Sequence, residues 1–173
     1  GRAGRGHGAP AIPRLRLEAE MSFQKRMGKI GLVLRRTFAH LGGNRTRIFK
    51  DFAAACPPRT YKRYEDALSF YAFLGEYWSP KPAEPPYILE IARLELALSR
   101  INAFQTGGEP AVMKSFATLE DITSIQLAEC SDIIQCSYDL RTLFESQQIT
   151  SPPERENDVI VFRPGRRSGQ RAS

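Results

Sequence analysis

Three cysteines, two histidines and a few closely spaced acids are the side chains of this 173-residue chain best suited to chemistry. Their spacing argues against most of that chemistry. Cys56, Cys130 and Cys136 form no CxxC pair, and an odd, sparse set builds neither a disulfide framework nor a zinc site. Three reduced thiols in a cytoplasmic protein is the expectation, with Cys130 and Cys136 as small apolar fillers on or near strands. The two histidines, His7 and His40, with His7 in a stretch that reads as a tail, are too few for a His-rich metal site or a histidine-assisted nucleophile. No GxxxxGK[ST], strand-borne GxGxxG or HExxH occurs, so neither a phosphate cradle nor a zincin helix is expected. Glu120 with Asp121, and Glu90 with Glu95, read as caps or solvated faces rather than as acid–base pairs.

Arg93 and Glu95 are more informative. They fall inside the run Pro85-Pro86-Tyr87-Ile88-Leu89-Glu90-Ile91-Ala92-Arg93-Leu94-Glu95-Leu96-Ala97-Leu98, a proline-started helix that is apolar around most of its circumference. Two residues apart on a helix, the pair points about 160° apart and cannot bond to each other. An unpaired buried charge is very costly, so each needs a partner elsewhere. Ion pairs to neighbouring helices and contact with a protein partner are the two readings. A dense aromatic stretch, Tyr61 to Trp78, precedes this helix. Most of it is core at helical spacing; Phe73 and Tyr77 are the candidates for an exposed interface.

The charge is polarised along the chain. Residues 1–20 hold four Arg and two Glu, and residues 163–173 hold four Arg and no acid, which accounts for the whole net charge of +6. Residues 21–50 carry eight basic residues and no acid, against nine basic and 17 acidic residues over 51–162. A basic helical arm packed on an acidic body explains this, as does a docking surface for an acidic partner. Nucleic acid is disfavoured, because the middle of the chain has no net positive field and no recognisable nucleic-acid motif. No apolar run approaches the roughly 20 residues that span a bilayer, so no membrane association is expected.

The elements that must position these residues follow from periodicity. The Gly-, Arg- and Pro-rich residues 1–16 read as a disordered arm ahead of Met21, a natural start. Residues 17–108 read as a helical domain of about four helices. The first runs from Leu17 to Leu41 with Met27, Ile30, Leu34, Phe38 and Leu41 on one stripe, stopped by Gly42-Gly43. The others cover Arg45–Cys56, ended by Pro57-Pro58, then Arg63–Trp78 and Pro86–Phe104. Residues 109–163 read as a small α/β portion. It has a capped helix start at Thr118–Asp121, strands across 124–137 and at Val159–Phe162, and a helical turn over Tyr138–Glu145. Residues 164–173 read as a disordered tail. The fold class is therefore α+β, a helical body with a β-rich C-terminal portion.

Several phrases in order resemble one family. Ala53-Ala54-Ala55-Cys56-Pro57-Pro58-Arg59 resembles an AxxPPR segment, and Phe73-Leu74 follows it. Pro86-Tyr87-Ile88-Leu89-Glu90-Ile91-Ala92-Arg93-Leu94-Glu95 resembles PYLxDxARLE, and Ser137-Tyr138-Asp139-Leu140-Arg141 precedes a Val-Ile-Val-Phe-Arg strand. Across residues 27–163 the chain is similar to the partner proteins of multinuclear non-haem iron oxidases, and within them to the subgroup serving methanobactin biosynthesis.

The resemblance implies a non-catalytic subunit in a heterodimer with a TIM-barrel iron oxidase. It implies that the subunit presents the leader of a ribosomally made precursor peptide, whose cysteines become oxazolone and thioamide groups that chelate copper. No cofactor is then expected in this chain; the iron belongs to the oxidase. Peptide capture by strand addition points to Ile133, Ile134 and Cys136, or to Ile160, Val161 and Phe162, and the oxidase contact to Phe73, Tyr77, Arg93 and Glu95. The competing readings are a DNA-binding transcriptional regulator and a free-standing scaffold.

Overall fold

The computed structural model describes residues 11–103, 112–116, 131–145 and 151–162. Among them are six α-helices and three strands: α1 (Ala11–Val33), α2 (Arg35–Leu41), α3 (Arg45–Ala55), α4 (Arg63–Tyr77), α5 (Ile88–Ala103), β1 (Val112–Phe116), β2 (Ser131–Tyr138), α6 (Arg141–Glu145) and β3 (Glu154–Phe162). The strands form one antiparallel sheet in the order β1-β3-β2. The architecture is α+β, a helical body followed by a small sheet.

Local sequence explains most helix ends. Gly42 takes a left-handed φ of 53°, which few residues other than glycine adopt readily, and its N–H bonds the Ala39 carbonyl to close α2. Cys56 ends α3 in a non-helical conformation just ahead of Pro57, as the restriction on a residue preceding proline requires. Glu65 and Asp66 fall in the first turn of α4, where the helix dipole favours acids. The expected helix over 17–41 differs in two ways. It begins at Ala11, inside the stretch expected to be a disordered arm, and it breaks at Leu34, whose φ and ψ are −107° and 51°. The Leu34, Phe38 and Leu41 side chains stay on one buried stripe across the break, so apolar periodicity carries no sign of it.

Two cores form on opposite sides of α5. On the helical side Ile88, Ala92 and Leu96 pack against Ile30, Leu34, Phe38, Phe49, Phe52, Phe70 and Leu74. Its centre is aromatic: the Phe52 and Phe70 rings meet edge to face at 5.0 Å, and Phe38 lies 5.5 Å from Phe70. On the sheet side Tyr87, Ile91, Leu94, Ala97 and Ile101 pack against Ile134, Cys136, Val159 and Val161, with Leu140 and Leu143 closing the end. A helix that serves two cores has to be apolar around most of its circumference, which is the pattern its sequence shows.

β3 is longer than expected. Glu154–Asn157 extend it through charged residues, and over 158–162 it is paired on both flanks, with Val112–Phe116 on one and Ser131–Gln135 on the other. β1 has no counterpart in the expected elements. The expected helix start at Thr118–Asp121 and the 124–130 part of the expected strands lie outside the described residues, as do the arm over 1–10, the segment 104–111 and the tail over 164–173.

Candidate functional site

β2 lies between β3 and the open flank of the sheet among the described residues, and α5 runs across it in the opposite direction. Near the start of α5, Glu90 Oε1 accepts the Ser137 N–H at 3.0 Å. Near its end, Arg100 Nη2 donates to Asp132 Oδ2 at 2.9 Å. Ser137 sits at the irregularity where the β2–β3 register shifts between Cys136 and Tyr138, so its N–H is available to a side chain. The other Glu90 oxygen, Oε2, is buried with no hydrogen-bond partner among the described residues. A buried oxygen left in this way has acceptor capacity in reserve.

The burial alternates along β2. Ile134 and Cys136 turn to the core, at 1% exposure each, while Ile133 turns outward at 43%. Opposite Ile133 across the ladder is Ile160, itself buried. Burial, and next the nearby Glu90 charge, push the Cys136 thiol up to about 12. It is protonated at neutral pH and is neither a nucleophile nor a metal ligand in this state.

The six residues expected to meet a peptide therefore separate. Ile133 lies on the outer face of β2, and Phe162 is half-buried. Ile134, Cys136, Ile160 and Val161 have buried side chains. β3 as an accepting edge is corrected, because β1 and β2 occupy both its flanks over Ile160–Phe162.

The four residues expected at an oxidase contact do not share a surface. Glu95 is 6% exposed and bonds entirely within the chain. Its Oε1 accepts the Arg36 N–H at 2.6 Å, and its Oε2 accepts the Thr37 N–H at 3.0 Å and the Thr37 hydroxyl at 2.8 Å. These are first-turn donors of α2, left without partners by the break at Leu34, so Glu95 caps α2 from a distant helix. Its expected place at an interface is corrected on that ground. Desolvation pushes its carboxyl above the usual range, against the opposing pull of those hydrogen bonds and of Arg36. Arg93 is exposed, on the other side of α5. Phe73 and Tyr77 are half-buried at the rim of the aromatic core, and the Lys81 ammonium lies 5.2 Å from the Tyr77 ring centre.

Phe73 also lines a cleft of about 270 Å³ with Arg26, Cys56, Arg59, Asp66 and Glu76. The Arg26 guanidinium grips the Asp66 carboxylate through Nε at 3.0 Å and Nη2 at 2.7 Å, and its Nη1 donates to the Cys56 carbonyl at 2.7 Å. It also covers the Phe52 ring at 4.4 Å. Arg36 ties the helical body to the C-terminal part by donating to the Leu143 and Phe144 carbonyls, each at 2.8 Å.

Sequence reasoning missed Arg26, Arg36, Asp66, Thr37 and Glu90. For Arg26 a signal existed: it lies between Phe23 and Ile30 on the inward side of α1, where a cation requires a buried partner. Among the described residues no group of three or more His, Cys, Asp or Glu side chains is arranged to hold a metal ion, and no helix is long and apolar enough to cross a membrane. No protein-family model, curated protein or solved structure matches this chain.

Proposed function

We propose that this chain is a non-catalytic, cytoplasmic partner subunit of a multinuclear iron oxidase of the TIM-barrel class. It captures the leader of a ribosomally made precursor peptide whose cysteines the oxidase converts to the copper-chelating groups of a methanobactin. The reading rests on the ordered phrases at Ala53–Arg59, Pro86–Glu95 and Ser137–Arg141. The observation that carries the peptide-binding half is the outer flank of β2, which no described strand occupies and which bears the outward-facing Ile133. An extended peptide added there would gain main-chain hydrogen bonds, with Ile133 as a side-chain contact. Tethering raises the effective concentration of the peptide's cysteines at the oxidase, which is what a subunit without chemistry of its own contributes.

Co-expression with a tagged iron oxidase of that class tests the assignment. Elution of the two chains at equal stoichiometry is the expected result. A solitary protein that binds duplex DNA with a steep salt dependence would replace it with the regulator reading. Peptide capture is tested separately by titrating the purified complex with the leader peptide. Ile133→Lys, at an exposed position, should leave the fold intact and weaken binding up to about fivefold, roughly the 1 kcal/mol of one good cross-strand contact. Unchanged affinity would remove β2 as the accepting edge.

A further inference from the structure

The outward side of α1 is apolar where a solvated helix face is expected. Leu17, Met21 and Leu32 are 62%, 64% and 71% exposed. With Gly28 they fall within about 60° of one another around the helix axis, on the side opposite the buried Ile30. The stripe therefore does not serve the chain's own core. A Cβ built at Gly28 meets nothing within 4 Å, so this glycine answers to no close approach within the chain.

The pattern is complementary to itself on reversal. When a second α1 is laid antiparallel about the midpoint between Gln24 and Lys25, Leu17 falls opposite Leu32, and Met21 falls opposite Gly28, a long side chain against a vacant site. The charges reverse in the same sense. Over 16–33, the length the two helices share, Arg16, Glu18 and Glu20 fall in the first half, and Lys25, Lys29 and the Asp66-bound Arg26 in the second. Each acidic half thus lies beside the basic half of the other helix. Glu18 keeps its contact within its own chain, and a carboxylate has lone pairs for more than one donor. An isologous two-fold contact needs this kind of match, in which residue i meets j and j meets i.

The geometry points to the outward face of α1 as a homodimer interface, two copies of this chain pairing antiparallel with Met21 of one seated over Gly28 of the other. A half with more acid than base, followed by a basic half, matches a reversed copy better than a uniformly acidic partner. A single helix pair is small beside the roughly 1,600 Å² of a standard stable interface, so association is weak and concentration-dependent. The inference does not depend on the oxidase-partner reading.

Sedimentation velocity on the full chain over a micromolar concentration series tests it. A monomer–dimer equilibrium is expected. Gly28→Leu adds a side chain into open space, so helicity is retained while the seat for Met21 is filled; dimer affinity should fall at least tenfold. Leu32→Glu should do the same. Reversal of both charges, Glu18→Lys with Lys29→Glu, should restore most of the affinity lost in Glu18→Lys alone. A chain that stays monomeric throughout the series, or a dimer indifferent to both Gly28→Leu and Leu32→Glu, overturns the proposal.

Discussion

On the helical side of α5, Glu95 has both oxygens engaged by three donors. On the sheet side of the same helix, Glu90 holds one backbone N–H and keeps its second oxygen buried without a partner among the described residues. The helical core is also pinned by a charged pair with several bonds, Arg26 with Asp66, whose side chains are 11% and 8% exposed. On the sheet side Arg100 pairs with Asp132, at 45% and 36% exposed, and Arg141 grips the buried Asp139 carboxylate through Nε and Nη2. Hydrogen-bonding capacity is used up where the fold is fixed and left partly unused beside the outer strand.

The contrast is tested most severely by Arg26→Ala, which strands the buried Asp66 carboxylate and uncovers Phe52. A loss of about 4 kcal/mol in urea unfolding is expected; a loss under about 1 kcal/mol would mean that the pair is solvated like a surface bridge. Glu95→Ala comes next. It leaves two N–H groups and a hydroxyl without acceptors at the start of α2 and should remove about 3 kcal/mol.

Glu95→Gln removes the titrating group, and its NH2 takes the place of one of the two acceptor oxygens at the start of α2. Burial raises the folded-state carboxyl above its ordinary 4.5, so the native state binds the proton more tightly than the unfolded state does. Glu95 then contributes stability below about 4.5 that is lost as pH rises through the folded value. Urea midpoints followed upward from there should fall in the wild type relative to Glu95→Gln; parallel profiles would show that the carboxyl is not shifted.

Glu90→Gln should be mild by comparison, within about 1 kcal/mol, because an amide oxygen still accepts from Ser137. The smallest expected effect concerns the thiols. Mapped alkylation at neutral pH should mark half-buried Cys56 before Cys136, whose thiol is pushed up to about 12, and should reach Cys136 only under denaturing conditions. Early labelling of Cys136 would show that the sheet-side core opens readily.

Much of the helical body was legible because its boundaries are local. Gly42-Gly43, Pro57-Pro58 and the prolines from Ser79 to Pro86 punctuate the chain where α2, α3 and α4 stop. The Leu34 break was not legible, because the acceptor for the donors it frees is Glu95, far away in sequence and invisible to periodicity. The two readings of Glu95 were both open from sequence; the cap of α2 is a third outcome, a hydrogen bond to backbone rather than an ion pair. In the sheet, Val159–Phe162 stood out as β-branched, but the charged Glu154–Asn157 gave no alternation to read. Strand order was also beyond reach, and it decides that β3 is central while β2 faces outward.

The double duty of α5 has a consequence for how the molecule comes apart. Its two faces supply side chains to both cores, so neither core can lose the helix and remain closed. The two halves therefore melt together, in one transition reported alike by tryptophan fluorescence at Trp78 and by the far-ultraviolet signal of the helices. Opening of either half therefore exposes peptide bonds in both to hydrogen exchange.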